Sequence, residues 1–323
     1  MTTARQLEPL PAQPMPLDLE TSVDFPTDQI VTGQAKVGDT VVDYTVSVGG
    51  PEIMVLVPGL AGCKAFSKPL RDQHGLRGYA AVSYEAARSR RTIREAGGDI
   101  RETARDMSNP SSLHLDTLTA VIDDVAHNKA FRDTDFGSTL NLETVQLGPH
   151  SFGARAAIDY ALRHPAEVSS TVMLAPHGLE KLLALHLLLR SRAVIMDEFI
   201  PFLNPSRWKQ LAEMVPALAG HAAASPLRLA CEGISCAVDA SNLNRLALLG
   251  NTGKVAIMGF ARDKIINSAA LARAAELHGI PFELHPDKNA GHFALYTHAP
   301  TVAELAEEMH RQLKFPPPTL VTT

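Results

Sequence analysis

The stretch Val145-Gln-Leu-Gly-Pro-His-Ser-Phe-Gly-Ala-Arg-Ala-Ala-Ile158 passes from strand-forming residues into an alanine-rich helix with no loop between them. Ser151 lies at the centre of that turn, with the small residue Gly153 two positions later. A serine there has two readings. It commonly caps a helix, but a sharp strand-to-helix turn also exposes an Oγ at a helix N-terminus, where free N–H groups and the dipole favour developing negative charge. Serine becomes a nucleophile only beside a base, and the base needs an acid to orient it. Asn289-Ala-Gly-His-Phe293 places His292 in a glycine-containing loop after the strand pattern Phe282–His285. Met258-Gly-Phe-Ala-Arg-Asp-Lys264 places Asp263 just past another strand. Asp287 is an alternative acid, although its neighbours Pro286 and Lys288 suit an exposed turn. The chain order Ser, Asp, His is the one associated with a serine on such an elbow.

These residues meet only if their strands end on one edge, which is what a parallel sheet provides. Ile53-Met-Val-Leu-Val57 and Tyr79–Tyr84 are continuous apolar runs, the pattern of strands covered on both faces. Two alternating segments around Gly38-Asp39, within Gln29–Val48, predict a hairpin. Leu113, Leu118, Val121, Ile122 and Val125 recur at helical spacing. Further strands are expected at Val145–Leu147, Ser170–Ala175, Lys254–Phe260 and Pro281–His285, with helices to about His164, at Ser268–His278 and at Thr301–Leu313. The alternation predicts an α/β fold, a mostly parallel twisted sheet with helices on both faces.

The expected division of the 323 residues is a proline-rich arm at 1–27, a core in two parts at 28–176 and 251–314, a helical insertion at 177–250 and a tail at 315–323. Leu182, Leu183, Leu187, Phe199, Phe202, Leu203, Trp208 and Met214 make the insertion an expected apolar cap over an enclosed pocket.

A composition of 45% apolar and 20% charged residues is globular, and a net charge of −5 gives no long-range attraction to nucleic acid or anionic membrane. The N-terminal segment lacks the basic and apolar regions of a secretory signal, and no apolar run reaches the length of a membrane span. Cys63, Cys231 and Cys236 show no metal-ligand spacing and suggest a reducing compartment. A cytoplasmic protein is therefore expected. The basic stretch Ala87–Arg94, diluted beyond by Glu95, Asp99 and Glu102, reads as a solvated face or as a site for an anionic substrate group.

Across roughly residues 30–313 the sequence resembles the α/β-hydrolase superfamily. The resemblance is carried by Pro58-Gly59-Leu60-Ala61-Gly62, by His150-Ser151-Phe152-Gly153 continuing through Ala161–Pro165 to Met173–Pro176, by Gly259–Asp263 and by Gly291-His292-Phe293. It implies the α/β-hydrolase fold, with Ser151 as nucleophile, His292 as base and then acid, and Asp263 as orienter. It also implies an oxyanion hole from the Leu60 and Phe152 amides. Gly59, His150 and Phe293 are expected to line the substrate pocket. A small-molecule ester or thioester would be the substrate, with no metal or organic cofactor. The same triad also serves carbon–carbon bond hydrolysis, perhydrolysis and acyl transfer, and a hydrolase-fold protein can bind a ligand without turnover. Assembly as a homo-oligomer is compatible with this reading. Two positions depart from the family pattern. Pro149 stands where a small residue is usual, and Pro58 where histidine is frequent.

Overall fold

A computed structural model describes residues 29–38, 40–59, 64–85, 110–127, 137–179 and 242–314. The expected arm and tail, and most of the expected cap (180–241), lie outside these residues. So do the basic stretch 87–105, Leu60 and all three cysteines.

Eight strands form one sheet: β1 (Ile30–Val37), β2 (Thr40–Val48), β3 (Glu52–Val57), β4 (Tyr79–Tyr84), β5 (Asn141–Pro149), β6 (Val168–Leu174), β7 (Val255–Gly259) and β8 (Phe282–Leu284). Their spatial order is β1-β2-β4-β3-β5-β6-β7-β8. The expected hairpin forms as β1 and β2, which pair antiparallel with Val37 opposite Thr40. β2 also runs antiparallel to β4, and every pairing from β4 onward is parallel. Five of the six residues of β3 and all five of β7 are buried, as continuous apolar runs require when both faces are covered.

Seven helices accompany the sheet among the described residues: α1 (Lys64–Leu76), α2 (Pro110–His127), α3 (Gly153–Arg163), α4 (Asn242–Gly250), α5 (Ser268–Leu277), α6 (Ala294–Thr297) and α7 (Ala299–Lys314). α1 and α7 pack together over one side, while α2 and α3 pack against each other. α4, the last helix of the stretch 177–250, packs on α3, with Leu246 and Leu249 in the main core and Arg245 bonded to Asp159 at 2.6 Å. Beneath α1 the buried Arg71 is neutralised by Asp72 (2.6 Å) and bonded by Ser47 and Ser83 of the sheet. A buried charge is tolerated only with such pairing.

From β3 the chain moves to β4 on one side, then crosses back to β5 on the other. The order therefore reverses between β3 and β5. At such a reversal the outgoing chain segments diverge, and open α/β sheets bind ligands outside the carboxyl ends of the strands there. β3 runs out into Pro58-Gly59, and β5 into His150-Ser151.

Candidate active site

Ser151 sits at the end of β5 with φ 49°. Only one other described non-glycine residue, Ala175, has positive φ, and it follows the adjacent strand β6. A left-handed serine costs on the order of 1–2 kcal/mol, and the surrounding hydrogen bonds hold it there. His150 N donates to Val57 O (3.0 Å) and Ser151 N to Leu174 O (3.0 Å), which ties the turn to strands on both sides. Both bonds lie directly after Pro149, so the chain is tied to its neighbouring strands again one residue past the missing donor. The Ser151 carbonyl accepts from Ala154 N (3.1 Å) and His177 N (3.0 Å).

The cap reading of Ser151 finds no support. The N-cap of α3 is Phe152, with no side-chain capping bond, and the hydrogen bonds of Ser151 among the described residues run through its backbone. The amides around it are used: Gly153 N donates to His150 O and Ala154 N to Ser151 O. The Phe152 amide has no partner among the described residues. An unspent donor directly after a strained serine, at a helix start, can supply one of the N–H groups that stabilise an oxyanion.

Gly153 is needed for space. A Cβ there would lie 2.5 Å from Pro58 O and 2.7 Å from Val57 O. At Gly59 a Cβ would lie 3.1 Å from both His150 Nδ1 and Ser151 Cβ. The segment leaving β3 is thus seated directly on the elbow, and glycines at 59 and 153 permit the approach.

His292 and Asp263 come together. His292 Nδ1 donates to Asp263 Oδ2 at 2.8 Å, with the His292 ring 5% and the Asp263 side chain 0% exposed. The other carboxylate oxygen accepts from the amides of Ile265 and Ile266, both at 2.8 Å. Asp263 is therefore held rigidly, and its acceptance of Nδ1–H leaves His292 Nε2 as the basic nitrogen. The Arg262 amide donates to Ala290 O (2.9 Å), stitching the aspartate loop to the histidine loop. Asp287, the alternative acid, turns elsewhere. It pairs with His298 Nε2 at 3.2 Å and accepts from the Asn289 amide. Burial opposes its ionisation, but that amide and the neighbouring His298 and His285 hold its carboxyl below the ordinary value.

His150 meets the loop directly. Its Nε2 donates to the main-chain oxygen of His292 at 3.0 Å, and the two rings lie 4.7 Å apart between centroids. Burial, and secondarily the His292 ring, push its pKa well below the usual imidazole value. Phe293 stacks on Phe66 of α1 (5.3 Å), and Phe152 meets His114 of α2 edge-on (5.1 Å). Sequence reasoning did not single out His114, His177 or Phe66. Each reaches the site from a different element, and nothing in its local pattern announces that.

No protein-family model matches this chain, and no curated sequence matches it significantly. Solved structures do. An esterase from Thermogutta terrifontis superposes with a TM-score of 0.55 at 13% identity, covering 88% of this chain and 99% of its own. A bromoperoxidase from Bacillus anthracis gives 0.57 at 13% identity, covering 87% and 100%. An epoxide hydrolase from Vigna radiata gives 0.53 at 13% identity, covering 88% and 99%. The chain has the α/β-hydrolase fold. Among the described residues no helix is long and apolar enough to cross a membrane.

Proposed function

We propose that this protein is a serine hydrolase acting on small or medium acyl substrates, carboxylic esters or thioesters, through Ser151, His292 and Asp263. The observation that carries the reading is the left-handed Ser151, followed by an unspent amide, beside a loop whose histidine is already bonded to a buried aspartate. The Ser151 hydroxyl attacks the acyl carbon while His292 Nε2 takes its proton. The Phe152 amide, with the Leu60 amide expected beside it, receives the charge on the carbonyl oxygen. Collapse expels the alcohol or thiol, which leaves with the proton from His292. Water, deprotonated by the same nitrogen, then releases the acid and restores the serine. The serine–histidine hydrogen bond that this transfer uses often closes only when substrate binds. Asp263 holds the imidazole in the tautomer that both half-reactions need.

The solved structures of this fold named above include an epoxide hydrolase. In this fold that chemistry implies a carboxylate nucleophile, whereas position 151 is serine. The apolar residues of the stretch 177–250 support an enclosed, largely apolar pocket.

A fluorophosphonate probe followed by peptide mapping tests the proposal. Ser151 should be labelled in the wild type and unlabelled in Ser151→Ala, and short p-nitrophenyl esters should be turned over by the wild type alone. Folded wild-type protein that neither reacts with the probe nor cleaves esters would refute it.

A further inference from the structure

We infer that His150 is a positioning residue for His292, fixing the main chain of the base from the elbow; the inference rests on the catalytic reading of Ser151, His292 and Asp263. A carbonyl can only accept, so the 3.0 Å contact to His292 O requires the proton on His150 Nε2. The polar edge of the ring that might have met substrate is therefore committed to backbone. On its other side the ring meets the segment leaving β3, since a Cβ on Gly59 would stand 3.1 Å from His150 Nδ1. One imidazole thus fills the junction of three chain segments: the turn with the nucleophile, the segment after β3 and the loop with the base.

Two contacts from different elements reach the base. Asp263 bonds the His292 ring at Nδ1. The ring turns with its backbone, so a shift of the main chain at residue 292 also moves Nε2. His150 limits that shift by bonding the carbonyl of the same residue, 142 positions away in sequence. Because His150 immediately precedes Ser151, any movement of the nucleophile is transmitted to the base through one side chain. Its suppressed protonation suits the task. A neutral ring 4.7 Å from His292 does not oppose the imidazolium that forms when the serine proton arrives.

Three variants separate this role from substrate contact and from bulk stability. Gln at 150 can place an amide nitrogen near the position of imidazole Nε2, whereas Asn falls short of it and Phe has no donor. His150→Phe and His150→Asn should lower kcat by about 10- to 100-fold, the scale of a displaced catalytic group, with KM within about threefold of wild type. His150→Gln should stay within about tenfold of wild-type kcat. The downfield proton resonance of His292 Nδ1–H, bonded to Asp263, should broaden or shift in His150→Phe and His150→Asn and persist in His150→Gln. Unchanged kcat in His150→Asn, a raised KM at constant kcat, or equal losses in Gln and Asn would each overturn the inference. If Phe fails to fold, the Gln and Asn pair still decides. If the wild type neither reacts with a fluorophosphonate nor cleaves esters, the catalytic reading fails separately. The resonance then remains the test: broadening in Asn but not Gln supports the anchor, and no change refutes it.

Discussion

Replacing Asp263 by asparagine tests the assigned catalytic order, because the structure determines which way the new amide must face. Oδ1 of Asp263 accepts two backbone N–H groups, from Ile265 and Ile266, at 2.8 Å each. In Asp263→Asn the side-chain oxygen has to stay on those donors. Turning the NH2 toward them would take this acceptor from both amides, at about 1–3 kcal/mol apiece. The NH2 therefore faces His292 Nδ1, which must now accept. The imidazole proton moves to Nε2, and the nitrogen that should take the serine proton no longer can. Loss of the correct tautomer in a serine triad costs about 10⁴ in kcat, equivalent to about 5–6 kcal/mol of barrier. Asp263→Ala should also be slow, but it should unfold more readily because both amides lose their acceptor. Steady-state hydrolysis of a short p-nitrophenyl ester and the rate of fluorophosphonate labelling both read the effect, with urea melts controlling for folding. Asp263→Asn retaining more than about one tenth of wild-type kcat would refute the reasoning.

Two further outcomes are expected. Gly153→Ala should destabilise the fold by roughly 1–3 kcal/mol through overpacking and slow labelling of Ser151. Its Cβ meets the carbonyl oxygens of Pro58 and Val57, which are backbone and cannot swing aside. Since alanine otherwise favours a helix over glycine, a urea midpoint equal to or above wild type would contradict the contact. Stability should also fall as pH drops below about 6.5, the unperturbed value for histidine. Burial first, and then His298, lowers His285 to about 4, while burial with Arg77 nearby lowers His74 to about 3. His310 of α7, buried with its Nδ1 against Ser170 Oγ, is likewise pushed down by burial. Between those values and 6.5 the unfolded chain binds protons that the native one refuses, so ν_U exceeds ν_N and stability rises with pH. His285 alone should contribute about 2 kcal/mol of loss by pH 5. Urea denaturation at pH 7 and pH 5 checks this, and identical midpoints would contradict the burial of these rings as neutral species.

Much of the scaffold was legible because its cues are local. Ile53–Val57 is apolar at every position, and a strand covered on both faces produces that pattern whatever surrounds it. Gly38 between alternating segments marked the hairpin, and Gly153 two positions after Ser151 marked a tight turn with no room for a Cβ there. The order of Ser151, Asp263 and His292 was likewise visible, as was their placement after strands. What the chain could not disclose was which neighbour each group would meet. Asp263 and Asp287 were both candidate acids, and the fold separates them: loop pairing brings Asp263 to His292, while Asp287 turns to His298. The φ of Ser151, the unspent Phe152 amide and the His150 bond to the His292 carbonyl depend on strand register and on how α1 and α7 seat the loops. Short-range propensity acts over a few residues, whereas the Asp263–His292 pair spans 29 positions and the His150–His292 pair 142. They exist only once eight strands have fixed the distance between their ends.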